Sequence, residues 1–362
     1  MPGQEWVVVG LDNGGNKNNG TVLDPSRRFL LDRLVETPSR VKEGPEVAVG
    51  ALLEAFDGIL KVTGVARERV RSVGLATPGP ASADGVISSR GSTNFAHPGW
   101  GGFDFRGALA ARLKLPVVYN NDGNAAALYA HHVCFGADAA RHSSISAIVG
   151  TGLGGGVIEA GRIVKGAAGM AGELGHVHVP MDGLLAEGQA TPHCNCGFDG
   201  DAESVASLTG IEKNLLPYWL KQFPGHELAR APSMAKAAMA VRGLGEKGDP
   251  LARRIFEQQA MALGRLFTIA ANFTDPAPTS WAGAWSRRAR SSASGSWPRS
   301  ARTRSCARSR SAWRGSHWSR TWTWPERAAR RWGPSSRYLE CGALRSALTV
   351  VVASRRSVDR AW

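Results

Sequence analysis

A chain of 362 residues with 43% hydrophobic and 20% charged residues has the length for two domains with sizeable cores and the composition of an ordinary globular protein. No apolar run is long enough to span a bilayer, and the N-terminal MPGQEWVVVG lacks the charged-then-apolar layout of a signal peptide, so a cytoplasmic protein without membrane contact is expected. The net charge of +14 suggests a polyanion partner, but its distribution excludes a basic body: residues 1–280 hold 26 basic and 27 acidic groups, whereas residues 281–362 hold 18 Arg, no Lys and 3 acids.

In chain order, residues 6 to 37 read as three short strands, WVVVGL, GTVLD and RFLLDRLVET, separated by Gly/Asn and Asp-Pro-Ser turn chemistry. An amphipathic helix is predicted around residues 45 to 63, a strand RSVGLAT at 71 to 77, a helix near 105 to 113 and a strand PVVYNN at 116 to 121. A helix then begins at Asp122. A second strand, Gly turn, strand unit follows in SSISAIVGTGLGGGVIEAGRIV, 143 to 164, and helices are predicted over 202 to 223 and 249 to 272. Two α/β halves, each opening with a hairpin around a Gly-rich turn, predict a duplicated α/β fold with a cleft between domains at 1–121 and 122–280.

Four stretches carry chemistry. DNGGNKNNG, Asp12 to Gly20, places glycines and short amides between two strands, where backbone N–H groups can face an anion and Asp12 offers a carboxylate to hydrated Mg²⁺; it reads equally as a plain hairpin turn. GTGLGGG, Gly150 to Gly156, fits G-x-G-x-x-G, but the following VIEAGRIV is a strand and not a helix, which rejects a dinucleotide site and leaves a phosphate-holding hairpin or a structural turn.

YNNDGNAAA puts Asp122 where a strand hands over to a helix, either as an N-cap or as a carboxylate able to accept a hydroxyl proton. Finally, Glu173 and His176 are spaced to share one face of a turn, and Cys194 and Cys196 near His176, His193 and Asp201 have the ligand types of a zinc site, or are two reduced cysteines.

As an ordered set these motifs, with P-G-P at 78 to 80, the Asn94 region STNFAHPGW, N-D-x-N-A at 121 to 125, G-E-x-G-H at 172 to 176 and C-x-C-G-x-x-G-x-x-E at 194 to 203, resemble the ROK family of sugar kinases and sugar-responsive repressors over about 275 residues. The resemblance implies an actin-like ATPase (ribonuclease H-like) fold of two α/β domains, in which ATP with Mg²⁺ and a sugar meet in the cleft. It implies Asp122 as general base on a primary hydroxyl, with Asn94, Asn121, Asp122, Glu173, His176 and Glu203 as substrate ligands.

It further implies Asp12, Gly14, Gly15, Asn16 and Lys17, with Gly150, Thr151, Gly152 and Gly154, as phosphate holders, and a homodimer. Zinc in such proteins is held by the G-E-x-G-H histidine and three cysteines, which makes His176, Cys194 and Cys196 ligands here. Three positions depart from the pattern: Asn16 stands where Thr is usual, Asp201 stands where the third zinc cysteine is expected, and MDGLLAEGQATPH lengthens the path from His176 to Cys194. Zinc is then held through an oxygen of Asp201 or is absent.

The expected activity is ATP-dependent phosphotransfer to the primary hydroxyl of a hexose such as glucose, with a C7-cyclitol kinase or a non-catalytic sugar-binding protein as alternatives. With the first strand beginning near Trp6, a repressor's helix-turn-helix module is not expected.

After ANFTDP at 271 to 276 the resemblance calls for an apolar strand and a triple-glycine turn, and the chain instead reads APTSWAGAWSRR. Reading these codons from their third base permits DVVGGGVVE, and a high-GC gene read out of frame also explains a segment rich in Arg and Trp and free of Lys. The tail from residue 281 is therefore expected to be a frameshift product and not a nucleic-acid arm; a chain ending this way is expected to be poorly soluble and weakly active.

Overall fold

A computed structural model describes residues 5–88 and 94–274, Pro276, and the backbone of two short strands at 280–281 and 349–353. The alternation of VVVGLDN buries Val7, Val9 and Leu11 on one face of β1 (Val7–Asn13), and the Gly/Asn turn returns the chain as β2 (Lys17–Leu23), antiparallel to it. β3 (Val35–Pro38) adds to β2, while β4 (Val70–Thr77) and β5 (Val117–Asn121) lie parallel to β1, giving the order β3-β2-β1-β4-β5.

The crossover to β4 is helix α1 (Pro45–Thr63), opened by Pro45 in the first turn and closed by Gly64 in the left-handed region. It lays Leu52, Phe56 and Ile59 on the sheet, and α2 (Phe105–Leu113) completes the layer before β5. At the edge of this core Trp100 packs against Phe95 and Phe105 at centroid distances of 4.8 and 4.9 Å, with its indole N–H donated to Val41 O.

The second half repeats the opening. β6 (Ser144–Val149), β7 (Leu153–Glu159) and β8 (Arg162–Ile163) form an antiparallel meander, and α3 (Asp122–Phe135) leaves β5 of the first sheet to pack on β6 and β7 of the second. Helices α4 (Ala202–Ala206), α5 (Leu208–Gly210), α6 (Leu216–Gln222), α7 (Met234–Glu246) and α8 (Pro250–Thr274) supply the other layer, with Val205, Leu215, Val241, Ile255 and Leu266 in its core. Two α/β halves joined through α3 are the actin-like ATPase architecture.

Three local expectations are corrected. The third strand is confined to Val35–Pro38: Arg27 turns left-handed after Asp-Pro-Ser, and Phe29 makes only an isolated antiparallel bridge to Leu23, its ring meeting that of Tyr129 of α3 at 5.6 Å. The predicted helix over 202 to 223 is broken at Ser207, whose extended backbone ends α4 and whose hydroxyl caps α5; the middle of the remaining run, Ile211–Leu215, is a π turn. Helix α7 was not predicted, because its alanines and glycines blur the apolar stripe that three buried residues, Ala237, Ala238 and Val241, trace.

The second sheet has the order β8-β7-β6-β10-β9, with β9 (Ser280–Trp281) and β10 (Thr349–Ala353) antiparallel to each other. The place beside β6 that corresponds to parallel β4 beside β1 is thus taken by β10, which runs antiparallel to β6. The rest of the Arg- and Trp-rich segment lies outside the described residues.

Candidate active site

Both Gly-rich stretches form the turns of equivalent hairpins, β1–β2 and β6–β7. In the first, the Gly14 N–H closes the turn on Lys17 O at 2.8 Å, and Asn16 O receives the Ser39 N–H. Asp12 at the end of β1 is half-buried and accepts a bond from Asn19 Nδ2 at 3.0 Å; desolvation raises its carboxyl above the ordinary range. Lys17 points outward into an ion pair with Glu36, and Lys42 Nζ reaches Asn16 Oδ1 at 3.3 Å. Asn94 sits directly on Gly15, filling the space that any side chain at that position would occupy.

In the second hairpin, Gly150 N–H bonds Gly152 O, and the start of α5 holds the turn from behind through Leu208 N–H to Gly150 O and Thr209 N–H and Oγ1 to Thr151 O. Gly154 belongs to β7, so the glycine run continues as a strand and opens no helix.

The residue that caps α3 is Asn121 and not Asp122. Asn121 Oδ1 accepts the Asn124 N–H at 2.7 Å, and its Nδ2 is donated to Glu173 Oε1 at 3.0 Å. Asp122 is left as the first residue of the helix, open to solvent, with Oδ1 accepting the adjacent Gly123 N–H. Desolvation by the protein around it is the main cause that pushes its carboxyl up to about 6, reinforced by the negative charges of Asp12 and Glu173, against the lowering by the Gly123 N–H. Burial also raises Glu173, while His176 opposes the rise.

His176 turns Nδ1 toward Asp201 Oδ2 at 3.1 Å and lies 3.8 Å from Cys194 Sγ; Cys196 Sγ is 3.5 Å from the same carboxylate oxygen. These four ligand atoms all fall within 4.8 Å of one another. Zinc bonds of roughly 2.0–2.3 Å in a tetrahedron need ligand-to-ligand separations near 3.5 Å, which the three measured pairs match to within a few tenths of an ångström. The donor set, one imidazole, two thiols and one carboxylate oxygen, therefore fits zinc. Asp201 divides its carboxylate: Oδ1 caps α4 through the Ser204 N–H at 2.8 Å and Oδ2 faces the cluster. His193 takes no part, its Nδ1 bonding Asp199 at the surface.

Glu203, on α4, accepts the Leu153 N–H through Oε2 at 2.7 Å, and Cys194 Sγ lies 3.6 Å from its Oε1. Two further groups had no sequence signal. Lys165 Nζ crosses from the second half to donate to Ala83 O and Tyr119 O at 3.1 and 3.2 Å, and the Tyr119 hydroxyl meets Thr77 Oγ1 at 2.8 Å. A lone Lys and a strand Tyr carry no motif, and only the packing of the halves brings Lys165 onto Tyr119 O.

Among the described residues no helix is long and apolar enough to cross a membrane. The sequence profile of the ROK family matches residues 8–283. The chain is 33% identical to a glucokinase of Halalkalibacterium halodurans, an alignment covering 58% of each chain, and 31% identical to an N-acetyl-D-glucosamine kinase of Citrobacter koseri, over 73% of this chain and 80% of that one. The structure of a ROK family glucokinase from Streptomyces griseus, in complex with glucose and AMPPNP, superposes with a TM-score of 0.56 at 27% identity, covering 75% of this chain and 81% of that one. Family profile and fold agree, and the chain belongs to the ROK family, its relatives here being carbohydrate kinases.

Proposed function

We propose that this protein transfers the terminal phosphoryl group of ATP to the primary hydroxyl of a hexose, with glucose as the first substrate to test and Asp122 as the base. The observation that carries the reading is the placement of one solvent-accessible carboxylate with no basic partner among the described residues, Asp122, between two glycine-turn hairpins and beside Glu173 and Asn121. The glucose and AMPPNP of the similar S. griseus enzyme support sugar and nucleotide as the two reactants.

In this reading the two hairpin turns hold the phosphates through backbone N–H groups, and the acceptor sugar lies against Asn94, Asn121, Glu173, His176 and Glu203. Asp122 takes the hydroxyl proton as the oxygen approaches phosphorus, and its carboxyl, raised to about 6, is ionised at neutral pH yet basic enough to accept that proton. Most of the acceleration then comes from positioning and neutralisation of charge. Asp12, a hard oxygen donor close enough for its charge to raise the Asp122 carboxyl, fits Mg²⁺ and is the residue that would hold it, leaving Asp122 free as the base. When bound, Mg²⁺ neutralises charge on the transferring phosphates.

The relative acting on N-acetyl-D-glucosamine supports a second acceptor, and a C7-cyclitol remains the third. ADP release measured with ATP and each of glucose, N-acetyl-D-glucosamine and a C7-cyclitol tests the reading. Turnover of any one with phosphate on its primary hydroxyl upholds the kinase, and the ratio of kcat/KM values assigns the acceptor; no turnover with intact sugar binding would leave a sugar-binding protein.

A further inference from the structure

Resting on the reading of 150–154 as a phosphate turn, we propose that Glu203 is a positioning residue for the nucleotide, holding that turn in shape before any sugar arrives. The two functions meet in one carboxylate. Glu203 Oε2 accepts the Leu153 N–H at 2.7 Å, at the residue where the turn becomes β7, so the charged acceptor fixes the direction in which the hairpin leaves its apex. A Cβ on Gly152 would lie 2.7 Å from the same oxygen, which shows how closely the carboxylate is pressed on the turn and why position 152 has no side chain.

The segment that carries Glu203 is the one that holds the turn elsewhere. Leu208 and Thr209, just beyond α4, bond Gly150 O and Thr151 O, so side chain and backbone of 203–209 grip the turn at three positions, 150, 151 and 153. Glu203 is in turn fixed from the other side: α4 is capped by Asp201, whose second oxygen faces the His176, Cys194, Cys196 cluster, and Cys194 approaches Glu203 Oε1. The geometry makes Glu203 the link through which the cluster and the acceptor pocket act on the nucleotide turn. A carboxylate that only contacted sugar would have no effect on nucleotide bound alone.

Calorimetric titration of the full chain with AMPPNP and Mg²⁺, with no sugar present, separates the two. Glu203→Ala is expected to weaken AMPPNP binding about tenfold, the loss of a hydrogen bond to a charged acceptor, while Glu203→Gln, whose amide oxygen still accepts the Leu153 N–H, stays within about threefold of the parent. Gly152→Ala, which pushes the carboxylate off the turn, is expected to weaken binding similarly in the parent and to add nothing in the Glu203→Ala background; it also serves where Glu203→Ala alone fails to fold. Unchanged AMPPNP affinity in Glu203→Ala, or fully additive losses in the double variant, overturns the role of Glu203. A parent chain that binds no AMPPNP overturns the phosphate-turn reading itself, and the proposal with it.

Discussion

Asn121 Nδ2 is donated to Glu173 Oε1 at 3.0 Å, joining the last residue of β5 in the first half to the loop that precedes a short 3-10 turn in the second. The same side chain caps α3 through Oδ1, so one amide sets the start of the helix that carries Asp122 and the orientation of Glu173. Asn121→Ala removes both bonds. We expect a stability loss of about 1–2 kcal/mol from the cap and the orphaned partner, read as a lower denaturation midpoint, and a KM for sugar raised more than the KM for ATP.

Asp122→Asn keeps the size and the polar contacts of the side chain but cannot take a proton. Turnover is expected to fall by about 10²–10⁴-fold, while sugar affinity measured by calorimetry stays within a few-fold of the parent. Retained turnover would remove Asp122 from the role of base.

The raised carboxyl of Asp122 also sets two pH effects. Activity needs the ionised form, so kcat/KM of the parent is expected to fall tenfold per pH unit below about 6 and to level off above it. Stability has the opposite sign: the folded state holds this proton more tightly than the unfolded chain, so ionising this partly desolvated group costs stability as pH rises from about 4 through about 6. Asp122→Asn is therefore expected to raise the denaturation midpoint of the ligand-free chain at pH 8 and to leave it nearly unchanged at pH 4. A midpoint that drops at pH 8 would contradict a destabilising, partly desolvated charge at Asp122.

The cluster of His176, Cys194, Cys196 and Asp201 predicts one zinc per chain, measured by elemental analysis after dialysis. Cys194→Ser is expected to abolish retention. Asp201→Cys is expected to tighten zinc at least tenfold against a competing chelator, because a thiolate is the softer ligand, yet to loosen α4, because its Ser204 N–H loses the Oδ1 cap. Equal zinc content in the Cys194→Ser variant would show that the metal sits elsewhere.

Resequencing the gene across codons 270 to 290 is expected to reveal a one- or two-base difference that restores DVVGGGVVE. The sheet supports this expectation, since the position beside β6 is filled by the antiparallel Thr349–Ala353 where the first half has a parallel strand after its helix. An unchanged gene sequence would establish the Arg- and Trp-rich segment as a true part of the protein.

The hairpin pairs, the 3.6-residue stripe of α1 and the strand-to-helix step at Asp122 were legible in the sequence, because turn glycines, alternation and capping residues act over a few neighbours. The ordered motifs also placed the chain in its family. Which atom of each motif residue does what was decided by the tertiary structure: Asn121 and not Asp122 caps α3, Asp201 splits its carboxylate between a helix and a cluster, Glu203 turns to the Leu153 N–H, and Lys165 reaches across to carbonyls on the other half. These bonds join residues from 3 to 82 positions apart, and the long ones exist only because α3 carries the chain from one sheet to the next and packs the two halves together. Local chemistry selected the residue types, and the burial created by that packing set their partners and raised the Asp122 carboxyl.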